Sequence, residues 1–191
     1  MAYQTYITEA IVCGSFNNQT SDRSFQLYTR SIGMIYAHTQ SVREERSKHR
    51  YALQECGYAR VTLVRGKSGW RVAGSEPILN FYTLAGTRAE RAFVRNMLLL
   101  IRRFIQGETA HENIFDDVVY ACTQVRRYPP ELLEIILTLR ILHTLGYVGD
   151  EEKLNTFFEQ PIEALSIDFL DDDLKKQCVV CINNALKESH L

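Results

Sequence analysis

The sequence has no long apolar run. Its longest, Met97 to Ile101, falls far short of the roughly 20 residues that span a bilayer, so no membrane helix is expected. No glycine-rich loop leads into a Lys-Ser/Thr pair, which excludes a nucleotide pocket of the P-loop kind. His38, His111, His143 and His190 are scattered, and no carboxylate or thiol stands at a recognisable spacing from them. Nothing therefore points to acid–base or nucleophilic chemistry, and the chain is not expected to be an enzyme. The five cysteines, Cys13, Cys56, Cys122, Cys178 and Cys181, are odd in number and irregularly spaced. Only the last two are close, whereas a structural zinc site takes four soft ligands as two close pairs. Packing inside a helix is the simpler reading of Cys178 and Cys181, and no metal or other cofactor is expected. Met1 is followed by polar and aromatic residues, without a charged start and an apolar run. The expectation is a chain with no secretory leader, with reduced thiols and a cytoplasmic location.

What is present is enough for a core, with 46% hydrophobic and 10% aromatic residues, so wholesale disorder is excluded. The net charge of −1 hides an uneven distribution. Residues 1–80 hold ten Lys/Arg against six Asp/Glu, and residues 81–127 hold seven against five. Residues 128–191 hold five against twelve. A basic front and an acidic back suggest an oriented molecule whose front meets polyanions.

The front reads as β. Thr8 to Ser15 is an apolar strand, Phe25 and Leu27 alternate with Ser24 and Gln26, and Met34 to Ala37 follows Gly33. Ala59, Val61 and Leu63 oppose Tyr58, Arg60 and Thr62. A hairpin turn at Gly66-Lys67-Ser68-Gly69 leads into a strand around Trp70 to Ala73. Five short strands without a helical pattern suit a small barrel, and the oligonucleotide-binding fold fits best. The period then changes. Thr87-Arg88-Ala89-Glu90 has the form of a capping box, with Ala89, Phe93, Met97, Leu100, Ile101 and Phe104 at helical spacing behind it. A second helix is expected from Ile114 to Arg127, stopped by Pro129 and Pro130. A central, nearly all-apolar helix follows from Glu131 to Leu145, and two more are capped by Asp150 and Asp171. The fold class is therefore α+β: a five-stranded OB-fold barrel over residues 1–80, then an all-α domain over 81–191, with the boundary between Pro77 and Thr87.

The candidate binding residues are cationic. Arg43, Arg46, Lys48, His49 and Arg50 crowd one loop and make a phosphate-binding surface, partly neutralised by Glu44 and Glu45. Arg65, Lys67 and Arg71 flank the hairpin turn with Trp70 between two of them. They suit phosphate and base contact, although Trp70 reads better as a core plug. Arg88, Arg91, Arg95 and Arg102 share a stripe within about 60° on the first long helix. That stripe is either a wet face or an extension of a DNA track. Arg126, Arg127 and Arg140 stand near apolar residues, where an acidic, aromatic-ended peptide would bind. The alternative for Arg140 is a buried arginine paired with a neighbouring glutamate.

Several motifs occur together in one order. TEAIV stands near the start, SDR precedes an apolar strand, and TR-x-x-G closes that strand. Ser47-Lys48-His49-Arg50 precedes Ala52-Leu53-Gln54, and RILHTLGY ends at Tyr147. In this the chain resembles the RecO family of bacterial recombination mediators, well over residues 5–80 and more loosely to about Gly146. The resemblance implies non-specific binding of single- and double-stranded DNA, strand annealing and recombinase loading. It also implies a RecR-like partner and contact with the acidic C-terminal tail of single-stranded DNA-binding protein. Many members carry a four-cysteine zinc module after the position of Tyr147, whereas residues 148–173 here contain neither cysteine nor histidine. The expectation is a reduced helical domain without that module. A protein-interaction adaptor, whose barrel docks a protein rather than DNA, is the alternative function.

Overall fold

The structure is a computed structural model and describes residues 4–17, 23–39, 49–149, 154–165 and 171–188. Five strands, β1 (Thr5–Asn17), β2 (Arg23–Thr29), β3 (Gly33–Thr39), β4 (Gly57–Gly66) and β5 (Gly69–Asn80), are followed by helices. A single helical turn, α1 (His49–Ala52), separates β3 from β4. After the strands come α2 (Phe81–Leu84), α3 (Arg88–Phe104), α4 (Glu112–Thr123) and α5 (Pro130–Thr144). Then follow α6 (Asn155–Glu159), a 3-10 turn at Ile162–Ala164, and α7 (Asp172–Glu188).

The strands close in the order β1-β2-β3-β5-β4, consistent with an OB-like fold. Strand β1 is long because it serves two neighbours: Thr5 to Ile11 pair with β4, and Ala10 to Asn17 with β2. A bulge at Cys13 lets it turn from one to the other. The ring is completed by a short parallel pairing, Ala37 with Trp70 and His38 with Arg71. Inward residues alternate with outward ones, so Val12, Phe25, Leu27, Ile35, Ala37, Val61, Leu63 and Val72 fill the interior. Ala52 and Leu53, at the end of α1, plug it. Trp70 belongs to this core, as its flanking pattern suggested.

Strand β5 runs to Asn80, well past Ala73. Two register shifts, one on each side of the Ala59–Thr62 pairing, leave Ala73 and Ile78 as extra residues on β5. They interrupt the period-two pattern from which strand length is read. Pro77, which looked like punctuation between domains, instead sits inside β5 opposite Ala59, next to a bulge where a missing N–H is tolerated.

Packing divides the chain into two compact units, Met1–Leu84 with Ile101–Glu112, and Ala85–Leu100 with Asn113–Leu191. In the first unit, residues after α3 return to the barrel. The Gly107 carbonyl accepts from the Met34 N–H at 2.9 Å, and the Tyr28 hydroxyl donates to the His111 carbonyl at 3.1 Å. Gly33 makes this approach feasible: a Cβ there would lie 2.3 Å from the Thr109 carbonyl oxygen, and its φ is +95°. No pattern in residues 105–112 announces the return.

In the second unit α5 is the central helix, with Leu133, Ile136, Leu137, Leu139, Ile141 and Leu142 all buried. The capping box forms as read: the Thr87 hydroxyl accepts from the Glu90 N–H at 3.2 Å, and the Glu90 carboxylate accepts from Gly86 and Thr87. The Asp171 carboxylate accepts from Leu174 N–H at 2.7 Å at the start of α7. Asp150, the other predicted cap, lies outside the described residues. Helix α4 ends at Thr123, short of the predicted Arg127, because Gln124 to Tyr128 wind into tight turns on the Gln124 carbonyl before the prolines.

Candidate nucleic-acid interface

The β4–β5 hairpin places its cations beside β3. A two-residue turn, Lys67-Ser68, joins the strands between Gly66 and Gly69. The parallel pairing of β3 with β5 brings His38 level with Arg71. His38, Val64, Gly66, Lys67, Ser68, Gly69 and Arg71 line a groove of about 430 Å³. Among the described residues its lining contains no carboxylate, and Lys67 and Arg71 are exposed. Arg65 is placed differently: it is 2.7 Å from Glu108 and lies over the Trp70 ring, whose indole N–H also donates to Glu108. Its charge is thus partly answered within the barrel unit, while those of Lys67 and Arg71 face solvent.

The register extends this basic groove across the sheet. Arg71 is level with His38, His38 with Ser24, and Ser24 with Phe16. Residues directly opposite share a face, so the row crosses four strands on the outside of the barrel. Tyr36, one row away opposite Gln26, meets Phe16 with ring centroids 6.2 Å apart. These two aromatics were missed by the sequence reading, although a signal existed: Tyr36 alternates with core residues Ile35 and Ala37, which puts its ring on the solvent side.

Of the predicted basic loop, Arg43, Arg46 and Lys48 lie outside the described residues. Arg50 is exposed. His49 turns toward the barrel, with Nδ1 2.7 Å from the Ser75 hydroxyl, and burial lowers its pKa below the usual histidine value. It is therefore a poor source of positive charge at neutral pH. On α3, Arg88, Arg91 and Arg95 are exposed, and Arg91 also donates to the Ala85 carbonyl. Arg102 is half-buried beside Gly14, where an added Cβ would lie 3.8 Å from its guanidinium. The Gln26 carboxamide shares that space, and its buried Oε1 has no hydrogen-bond partner.

Arg140 is only 9% exposed. Its Nε lies 2.6 Å from the Asp117 carboxylate, and its other donors reach the carbonyls of Phe157 and Gln160. Burial raises the Asp117 pKa, and the Arg140 guanidinium opposes that rise. Of the two readings open for Arg140, the structure takes the buried pair, with an aspartate as the partner. Its guanidinium orders the chain around α6 rather than waiting for a peptide. Arg126 and Arg127 are exposed, Arg127 over the Tyr128 ring.

No protein-family model matches the chain. Among curated proteins it is similar to the DNA repair protein RecO of Dehalococcoides mccartyi. Over 141 residues it is 31% identical to the protein of strain ATCC BAA-2266 and 26% identical to that of strain CBDB1. Each match covers 73% of this chain and 56% of the relative. The matches support a RecO-family assignment. The chain spans just over half the length of these RecO proteins. No group of three or more metal-ligating side chains comes together among the described residues. Cys178 is buried on α7, and Cys181 is half-buried one turn on. Burial pushes the Cys13 thiol up to about 12, so it is not a nucleophile at neutral pH. No described helix is long and apolar enough to cross a membrane.

Proposed function

We propose that the chain is a DNA-repair protein that binds single- and double-stranded DNA without reading sequence. It promotes annealing of complementary strands and helps load a recombinase by displacing single-stranded DNA-binding protein, alongside a RecR-like partner. The observation that carries the reading is the groove of His38, Lys67 and Arg71 on the side of an OB-like barrel, whose lining holds no carboxylate among the described residues. Barrels of this type use the β2–β3 face and the β4–β5 loop for nucleic acid. The relatives, DNA repair proteins by name, support the repair role.

No bond is made or broken in this mechanism. Cations neutralise phosphates, release counterions and lower the repulsion between two strands, and bound partners are held at high local concentration. Arg43, Arg46, Lys48 and Arg50, close together in sequence, supply further cations for phosphate, with Arg65 in a lesser part because Glu108 answers it. Arg88, Arg91 and Arg95 offer a second track. Arg126 and Arg127 hold the acidic tail of single-stranded DNA-binding protein by charge. The working division is DNA binding by the barrel unit, Met1–Leu84 with Ile101–Glu112, and partner binding by the helical unit, Ala85–Leu100 with Asn113–Leu191, acting in the cytoplasm on the nucleoid.

The test is fluorescence anisotropy with labelled oligonucleotides at two salt concentrations. Replacing Arg46, Lys48 and Arg50 by Ala weakens binding to every sequence alike, because phosphates carry no sequence information. A loss confined to one sequence would mean base-edge recognition and would overturn the non-specific reading.

A further inference from the structure

We infer that Phe16 and Tyr36 form a base-stacking platform for single-stranded DNA on the outer face of β1, β2 and β3; this rests on the DNA-binding reading above. Phe16 is 44% exposed and Tyr36 is 60% exposed. Neither ring is needed inside the barrel, where Val12 of β1, Phe25 and Leu27 of β2, and Ile35 and Ala37 of β3 fill the core. The rings meet at 46° with centroids 6.2 Å apart. Small Ser24 occupies the strand position between Phe16 and His38, which leaves room for the contact.

Charge identifies the occupant. From Phe16 the row runs through Ser24 and His38 to Arg71, a span of roughly 14 Å at about 4.8 Å per strand. Beyond it lies the Lys67–Arg71 groove. A chain crossing the strands along this row would lay bases on the two rings and its phosphates on the cations. Stacking on aromatic side chains suits any base, because every base has a π-face, and it fits binding without sequence readout. A duplex keeps its base faces stacked and presents only phosphates, so it would use the groove and not the rings. The two parts of the face therefore separate single-strand from duplex affinity.

The experiment measures anisotropy for the full chain with a fluorescein-labelled oligo-dT of about 20 nucleotides and with a duplex of the same length. Phe16→Ala and Tyr36→Ala each weaken oligo-dT binding about tenfold. Duplex affinity and the salt slope stay unchanged, because no charge is lost. Tyr36→Phe keeps the ring and restores single-strand affinity. Lys67→Ala with Arg71→Ala gives the opposite pattern, weakening both DNAs and flattening both salt slopes. Wild-type protein that binds oligo-dT while the Ala variants bind it equally well would overturn the platform and leave the DNA reading standing. Equal losses on both DNAs in the Ala variants would also overturn it. Wild-type protein that binds neither DNA would remove the DNA reading and the platform together.

Discussion

Arg71 and Arg140 are the same residue in two settings. Arg71 stands on the outside of the barrel, exposed, in a groove whose lining has no carboxylate among the described residues. Arg140 lies inside the helical unit, its donors taken by Asp117, Phe157 and Gln160. The barrel keeps its cations at the surface and fills its interior with apolar side chains. The helical unit puts one cation inside and belongs to the acidic part of the chain, with twelve Asp/Glu against five Lys/Arg in residues 128–191. Near-neutral net charge thus conceals two economies of charge: one leaves cations free for a ligand, the other uses a cation to hold the fold.

The largest expected effect breaks the second economy. Arg140→Ala removes the charge partner of the buried Asp117 carboxylate, leaving it the Ile162 backbone N–H, and takes a donor from two carbonyls, and should lower stability by about 3–5 kcal/mol. Arg71→Ala should change stability by less than about 0.5 kcal/mol, as expected for an exposed site. Denaturant unfolding of both variants checks the contrast, and equal losses would erase it. Next in size, the Thr87→Ala variant should lose about 1 kcal/mol with the reciprocal cap of α3. Gly86 and Thr87 N–H groups hold the Glu90 carboxyl below the usual carboxylate range. The cap is therefore fully present above the unfolded-state pKa and is lost as pH falls through the lower, folded value. The smallest effect belongs to His49. Its folded pKa is lowered by burial, so the unfolded chain takes up the proton first. Stability should fall as pH drops below about 6.5, and His49→Gln should flatten that part of the stability–pH curve.

These contrasts were only partly legible in the sequence. Strands β2, β3 and β4 and the capping box were readable because local periodicity and spacing specify them. The second half of β5 was not, because bulges at Ala73 and Ile78 break the alternation. The groove's Lys67 and Arg71 were found as charges around a turn. Their neighbour His38 was not, since the parallel β3–β5 pairing is a long-range event with no local mark. Arg140 in an apolar helix signalled a buried pair, yet its partner lies 23 residues away and depends on how α4 meets α5.

The central claim is that the barrel's surface cations bind phosphates. The most direct test is the salt dependence of oligonucleotide binding by wild-type chain and by the variant with both Lys67 and Arg71 replaced by Ala. For single strands the logarithmic salt slope should fall by up to about 0.7 per lost phosphate contact, so the double variant should lose as much as about 1.4 with both contacts gone. An oligonucleotide affinity and slope unchanged in that variant would contradict the account. So would partner binding that is insensitive to salt, as an adaptor whose barrel docks a protein would show.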